Sequence, residues 1–356
     1  MNRRRLGPAV LAVSALLALS CCGHDRWRSS EPVGTSEILS TVTPRDPLPS
    51  WGPGLARQAI IDTVIRATSP GSASLVPEDE RLAVFDDDGT LRPERPLAEA
   101  AFTISRLKAE VVGNPELARE EPYRSILDND AQKLSTFGRE AILRAVGRTH
   151  SGITDEALEL SVHSFLLDAR HPMLDAPYPT LTYQPMLELL DYLRAHKFTI
   201  YLSTASDQAF ARAIAPASYG IARDHVIGSA FEKQLVVSKD RADLVRKPEL
   251  SSLNDGEAKA VNLQRRIGER PVVAVGRVGT GGDVAMLTYT RKRAGASLAL
   301  VLLHDDAERE LAYDEPDGAT LAAAREHGFV VVSMKHEWSQ VFGPEAGSAR
   351  SRALAH

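Results

Sequence analysis

Cysteine is scarce in this chain: it has 2 cysteines among 356 residues, and they are adjacent, at Cys21 and Cys22. Disulfides therefore cannot link distant parts of a folded domain, and its stability must come from packing. Hydrophobic residues make up 43% of the sequence, so a chain of this length can bury one or two sizeable cores.

Three common signals of function are also missing. Lys and Arg are not clustered, and the formal net charge is −5, so no nucleic-acid partner is expected. No serine lies in the G-x-S-x-G motif of serine hydrolases. No two histidines have the close spacing of zinc ligands, which makes most of them surface or packing residues; those considered are His150, His163, His171, His304 and His336.

Long apolar runs are missing as well. The apolar segment near the start follows three arginines at positions 3–5 and is too short for a membrane span, a layout typical of an export signal. Its end, "ALSC", resembles the lipobox of bacterial lipoproteins, in which a small residue such as Ser20 precedes the lipidated cysteine. The sequence thus predicts a signal peptide over residues 1–21, a lipid anchor on Cys21 and a place in the cell envelope, on a bacterial membrane outside the cytoplasm. An ordinary cleaved signal or a single N-terminal anchor is the alternative interpretation.

The segment after the signal predicts a tether. Residues 22–53 are rich in Ser, Pro, Thr and Gly, a composition typical of a flexible linker. The stretch "LARQAIIDTVIRAT" that follows has apolar residues at helical spacing, so it predicts a helix packed on the folded domain. Residues 346–356 are predicted to form a disordered tail.

The first pattern with chemical content is "RLAVFDDDGTL". Its apolar residues 82–85 are typical of a strand buried in a parallel sheet. Burying unpaired carboxylates is costly, so the aspartates are expected at the C-terminal end of the strand, where open α/β sheets bind ligands. Because side chains alternate along a strand, Asp86 and Asp88 face one way and Asp87 the other. Two converging carboxylates suit a nucleophile paired with an acid/base, or a hard cation; the plainer interpretation is an acidic turn that caps the strand or loosely holds calcium.

This stretch resembles the first motif of the haloacid dehalogenase (HAD) superfamily, whose members are mostly phosphatases. The resemblance implies that Asp86 attacks phosphorus to form an aspartyl-phosphate, and that Asp88 protonates the leaving alcohol and later activates water. It also implies that Mg²⁺ is held by the Asp86 carboxylate and the Asp88 backbone carbonyl. The fold it implies is α/β, a Rossmann-like core with a parallel sheet flanked by helices, plus an inserted helical cap of the phosphoserine-phosphatase type.

Two further parts of the resemblance lie later in the chain. Hydroxyl residues follow the strand-like stretch "FTIYL", and Thr204 is expected to hydrogen-bond the phosphoryl group; alternatively, Ser203, Thr204 and Ser206 only cap the next helix. A lysine is expected to neutralise the nucleophile and the phosphoryl oxygens. Lys259, near the start of a predicted helix, is chosen over Lys247, which would instead shape the substrate pocket.

The fourth part, "VVAVGRVGTGGDVAML", departs from the pattern. The family places an acid directly after a glycine, where it helps to coordinate Mg²⁺, but here Arg277 follows Gly276. Three outcomes are open: Asp283 supplies the missing ligand; Arg277 points away or binds phosphate with its planar guanidinium; or the metal site is impaired. A nucleotide-binding loop is the alternative, but "GRVGTGG" does not match G-x-G-x-x-G, and no ribose-binding acid stands at the expected distance.

The predicted organisation is a catalytic core over residues 54–92 and 185–345 with a cap over residues 93–184. The predicted function is that of a membrane-tethered, magnesium-dependent hydrolase of small-molecule phosphate monoesters; the rival is a catalytically impaired protein that binds phosphorylated ligands. The predicted residues are, for catalysis, Asp86, Asp88, Thr204 and Lys259; for substrate binding, Thr204, Lys259 and Arg277; and for metal binding, Asp86, Asp88 and Asp283.

Overall fold

The computed structural model describes residues 46–344 and 346. The predicted signal peptide, its acceptor Cys21 and most of the predicted tether and tail lie outside the described residues. The strands are β1 (Leu82–Phe85), β2 (Thr199–Asp207), β3 (Val226–Val237), β4 (Ala242–Ser252), β5 (Val273–Arg277), β6 (Leu298–Leu303) and β7 (Val330–Ser333).

The α-helices are α1 (Leu55–Thr68), α2 (Ala98–Gly113), α3 (Tyr123–Leu127), α4 (Ala131–Ser135), α5 (Arg139–Thr149), α6 (Asp155–Asp168), α7 (Gln184–Ala195), α8 (Gln208–Tyr219), α9 (Glu257–Ile267), α10 (Val284–Arg291), α11 (Ala319–His327) and α12 (Met334–Glu337). Short 3₁₀ helices cover Glu78–Glu80, Pro115–Arg119, Tyr178–Thr180 and Arg223–His225. Among the described residues, the structure has no helix that combines the length and apolar character needed to cross a membrane.

The strands form one sheet in the order β4-β3-β2-β1-β5-β6-β7. All neighbouring strands pair in parallel except β3 and β4, which form an antiparallel hairpin at the edge. The central strands are short apolar runs because both of their faces are covered; all four residues of β1, for example, are buried. This arrangement confirms the predicted α/β fold with a parallel sheet flanked by helices.

Two hydrophobic clusters cover the two faces of the sheet. Ala83 and Phe85 of β1 pack on the face that carries α1 and α7. Val84, between them, packs on the opposite face with Leu263 of α9 and Met286 of α10. This alternation fixes the direction in which the residues after β1 point, and hence which of the three aspartates reach the functional site.

The end of the predicted tether is packed on the core. Leu48 and Trp51 are buried among the side chains of the first cluster. Ser50 donates two hydrogen bonds to the carboxylate of Glu188, from its backbone N at 2.8 Å and from its Oγ at 2.6 Å. The tether prediction is therefore wrong for its last residues, because they contribute to the core. Ala346, predicted to lie in the tail, is also buried.

The segment predicted as a cap, residues 93–184, contains α2 to α6 and two 3₁₀ helices. Its helices have their own apolar contacts, and Phe102 of α2 also packs against Phe210 of α8, with ring centroids 5.7 Å apart. The hairpin of β3 and β4 extends from the sheet beside α5, and Arg246 of β4 is buried there. The helical insertion therefore rests both on the core and on the edge hairpin.

Candidate functional site

The aspartates after β1 separate as the alternation of side chains predicts. Asp87 points away from the site: its carboxylate accepts hydrogen bonds from Arg92 Nη2 at 2.8 Å and from Tyr219 Oη at 2.7 Å. Asp86 and Asp88 line a cavity at the C-terminal ends of β1, β2 and β5. Open parallel sheets bind ligands at this edge, so of the three aspartates after β1, Asp86 and Asp88 are in position to act on one.

Lys259 joins two of the predicted site acids. Its Nζ donates to Asp86 Oδ1 at 2.6 Å and to Asp283 Oδ1 at 2.5 Å, and its side chain is 2% exposed. Lys247, the alternative lysine, is exposed on β4 and does not line the cavity. The structure therefore brings Lys259, Asp86 and Asp283 together and leaves Lys247 outside the site.

The three buried charges shift one another's pKa. Burial, together with the negative charge of Asp283, raises the pKa of Asp86 to about 7, although Lys259 and Arg277 oppose the rise. Burial would also raise the pKa of Asp283, but Lys259 and Arg277 outweigh it and hold this pKa below its ordinary value. Burial lowers the pKa of Lys259, but Asp283 and Asp86 reverse that effect, so the net shift is upwards. These shifts favour a charged Asp283 and a charged Lys259, whereas Asp86 holds a proton more tightly than a solvent-exposed aspartate does.

Thr204 and Ser206 supply hydroxyl groups from the end of β2. Both line the cavity. Ser206 Oγ donates to Asp88 Oδ2 at 2.9 Å, and the backbone N of Ser206 donates to Thr204 Oγ1 at 3.1 Å. The cap of α8 is instead Asp207, whose Oδ1 accepts from Ala209 N at 2.9 Å. The idea that these hydroxyls merely cap the helix is therefore wrong, and Ser206, named in the sequence only as a helix cap, lines the site and contacts Asp88.

Arg277 lies inside the site. Its Nε donates to the backbone carbonyl of Asp88 at 2.8 Å, and its Nη2 lies 2.6 Å from Glu94 Oε2. Its backbone N donates to Asp283 Oδ2 at 3.2 Å. Both side chains therefore point into the site, Asp283 toward Lys259 and Arg277 toward the Asp88 carbonyl, so Arg277 does not point away. Glu94 had no signal in the sequence, because its role depends on contact with a residue far along the chain.

The site cavity adjoins a second one beneath the helical insertion. The first has a volume of about 220 Å³, and the second, of about 390 Å³, lies among α2, α3 and α5. Leu97, Ala205 and Ser206 line both. The second is lined mainly by apolar side chains, including Ile104, Ile142 and Leu143. The helical insertion therefore covers the site and offers apolar space beside the two aspartates.

The donor atoms expected to hold Mg²⁺ are engaged by cationic side chains. The Asp88 carbonyl accepts from Arg277, and Asp86 and Asp283 each accept from Lys259. Mg²⁺ needs oxygen ligands at about 2.0–2.1 Å in near-octahedral geometry, and a guanidinium bound to one of those oxygens repels it. Within the part of the chain that the structure describes, no group of three or more His, Cys, Asp and Glu side chains is arranged to hold a metal ion. This arrangement does not fit Mg²⁺.

Comparison with known proteins identifies the family of the chain. Residues 83–276, more than half of the chain, match the family model described as haloacid dehalogenase-like hydrolase. The chain belongs to this family. The match begins within β1 of this HAD-like hydrolase and ends at Gly276, so it includes Asp86, Asp88, Thr204 and Lys259 and stops just before Arg277. No curated protein matches the chain.

Several solved structures are similar to this HAD-like hydrolase. A protein of unknown function from Bordetella pertussis Tohama I is 18% identical, with 71% of this chain and 98% of that chain covered and a TM-score of 0.49. A probable phosphoserine phosphatase from Vibrio cholerae is 14% identical (74% and 70% covered, TM-score 0.35). Cytosolic 5′-nucleotidase IIIB bound to cytidine is 13% identical (78% and 85% covered, TM-score 0.41). At these identities and TM-scores, the likenesses assign no activity to this chain.

Proposed function

We propose that this protein hydrolyses phosphate monoesters through an aspartyl-phosphate on Asp86. The observation that carries the proposal is that Asp86, Asp88, Thr204 and Lys259 line one cavity at the C-terminal edge of the sheet. A nucleophile, an acid/base and a fixed positive charge next to the nucleophile are the parts that phosphoryl transfer requires.

Each side chain has a distinct role in the proposed reaction. An Asp86 oxygen forms a bond to phosphorus as the bond from phosphorus to the alcohol oxygen breaks, and Asp88 gives its proton to that oxygen. Water then attacks phosphorus, Asp88 takes the proton of the water, and the bond to Asp86 breaks to release phosphate. Lys259 and Thr204 stabilise the charge on the phosphoryl oxygens. Ser206, hydrogen-bonded to Asp88, positions the acid/base.

Turnover of a generic aryl phosphate tests this function. We expect the purified protein to hydrolyse it and Asp86→Asn to abolish turnover, while the exposed-surface change Asp191→Asn leaves turnover intact; Asp191 has a 78% exposed side chain on α7. Activity that survives Asp86→Asn would refute the mechanism. The assay is run with added Mg²⁺ and with EDTA, because the resemblance of the sequence motifs implies Mg²⁺ whereas Arg277 occupies one of its expected ligand oxygens.

A second function is favoured by the position of Arg277. A guanidinium next to Asp88 and Lys259 places two cationic groups at one cavity, which suits the binding of a phosphorylated ligand without turnover. The expected signature is a folded protein that binds inorganic phosphate in calorimetry but gives no turnover, with or without Mg²⁺. Turnover that depends on Asp86 excludes this alternative.

We propose further that the protein acts at a membrane surface outside the cytoplasm, held by a lipid on Cys21. The support is the lipobox-like "ALSC" after a short apolar segment. Labelling cells with a fatty-acid analogue tests it: Cys21→Ser should lose the label and leave the membrane fraction, whereas Cys22→Ser should keep both. Labelling that depends on neither cysteine would overturn the proposal.

A further inference from the structure

We infer that the guanidinium of Arg277 takes the place of a divalent cation in this site, so that the cavity binds a phosphoryl group without metal. The inference deepens the proposed function, because it concerns the same cavity. It rests on the contacts that hold Arg277, on the space that is left for its side chain and on the balance of charge around Asp86.

The first observation is the set of contacts that Arg277 makes. Its Nε binds the Asp88 carbonyl, one of the oxygens expected to hold the metal, and its Nη2 pairs with Glu94. The side chains of Arg277 and Glu94 are only 16% and 11% exposed. A charge held between a carbonyl and a largely buried carboxylate has a defined position, unlike a lysine or arginine free in solvent.

The second observation is that the loop leaves room for this position. A Cβ atom at Gly279 would lie 1.7 Å from Arg277 Nη1 and 3.0 Å from its Cζ. Any side chain there would force the guanidinium to move. The glycine after "GRV" in the sequence therefore belongs to the arrangement that seats Arg277 beside Asp88.

The third observation concerns charge. Asp86 and Asp283 share the ammonium of Lys259, which can balance one of their two negative charges. Arg277 interacts electrostatically most with its partner Glu94, and also with Asp283 and Asp86, so its positive charge is shared among three carboxylates. An arginine in place of the expected acid changes the local charge by two units, the charge of one Mg²⁺. Its contacts with Asp88 and Glu94 use only part of the donor set of a guanidinium, which leaves N–H groups for phosphoryl oxygens.

Calorimetry on protein dialysed against EDTA tests the inference. MgCl₂ should give no binding heat with the wild-type protein, whereas Arg277→Asp should gain a Mg²⁺ site. Arg241→Asp, the same change at a side chain that is 73% exposed on the hairpin, should behave as wild type. The inference is overturned if the wild-type protein binds Mg²⁺ and the Asp283→Asn variant does not. It is also overturned if Arg277→Asp gains no Mg²⁺ binding.

Titration with inorganic phosphate completes the test. The wild-type protein should bind phosphate with the same Kd, within about twofold, in EDTA and in MgCl₂, and Arg277→Asp should lose about tenfold or more in EDTA and recover in MgCl₂. Wild-type binding that requires Mg²⁺, or no phosphate binding at all, overturns the inference. Metal-free phosphate binding without turnover would leave the inference standing and refute the proposed hydrolysis instead.

Discussion

Replacing Arg246 by methionine should destabilise the protein strongly, because this arginine joins three parts of the fold. Its Nη2 is paired with Asp207 at the end of β2, its Nη1 lies 2.8 Å from Asp155 Oδ1 at the start of α6, and its Nε donates to the His150 carbonyl at 3.2 Å. The side chains of Arg246 and Asp207 are 2% and 1% exposed. The change therefore leaves a buried carboxylate without its cation.

The size of the loss in the free energy of unfolding follows from the burial of this ion pair. Breaking a buried ion pair by removing one partner costs about 3–5 kcal/mol, whereas the more exposed pair with Asp155 adds little after solvent screening. Methionine keeps an apolar stem next to the Phe231 ring, over which the Arg246 guanidinium lies at 5.3 Å from the centroid, so lost packing contributes less than lost charge. Since domains are stable by roughly 5–15 kcal/mol, Arg246→Met should remove about a fifth or more of the free energy of unfolding.

Equilibrium urea unfolding measures the effect, followed by the fluorescence of Trp51 and Trp338, whose rings are in contact in the core. Lys247→Met is the matched control. Lys247 follows Arg246 in β4 and is exposed, so this substitution should change the free energy of unfolding by no more than about 0.5 kcal/mol. Adding Asp207→Asn to Arg246→Met should recover about half of the loss or more, because no buried charge is left unpaired. An Arg246→Met protein as stable as the control, or a double variant no more stable than the single one, would refute the reasoning.

Three other predictions concern activity. Lys259→Met should lower kcat for an aryl phosphate by on the order of 10²-fold or more, because it removes the positive charge next to Asp86. Lys247→Met should leave kcat unchanged. Equal losses of kcat in the two variants would contradict the choice of Lys259 as the catalytic lysine. Asp86 must be ionised to attack, and its pKa is raised to about 7, so kcat/KM should fall as the pH drops through about 7. The negative charge of Asp283 contributes to the raised pKa of Asp86. Asp283→Asn should therefore move the acid limb of the pH profile to lower pH. Ala100→Phe fills the larger cavity and should raise KM for a bulky aryl phosphate more than for a small phosphate ester; an equal change for both would show that the leaving group lies elsewhere.

The core of the fold could be predicted because its signals are local. The run at residues 82–85 is apolar throughout and is followed at once by three aspartates, which few environments other than the end of a buried strand accommodate. The edge hairpin could not be predicted in the same way. Pro248 argues against a central strand, and it is tolerated because β4 is an edge strand, a property that depends on the order of strands in space.

The site was predicted in part: residues close together in the sequence could be placed, whereas contacts between residues distant in sequence could not. Asp86 and Asp88 are two residues apart, so strand alternation alone places both in the cavity. Ser206 contacts Asp88, and Glu94 contacts Arg277. The partners are distant in sequence, so no spacing rule predicts these contacts. The choice of Lys259 over Lys247 rested on the resemblance, and the structure places the two differently, Lys259 buried and Lys247 exposed. Their roles in catalysis stay predictions until the variants are measured.

The glycine-rich loop shows how one pattern permits two physical explanations. Glycines in a nucleotide-binding loop let the backbone approach a pyrophosphate, but here they make room for side chains of the same loop. A Cβ at Gly276 would lie 2.8 Å from the Cβ of Asp283, and one at Gly279 would meet Arg277. The absence of a Cβ at Gly276 and Gly279 thus leaves room for the side chains of Asp283 and Arg277. The glycine-rich loop therefore carries two charged side chains of the site cavity, Arg277 and Asp283.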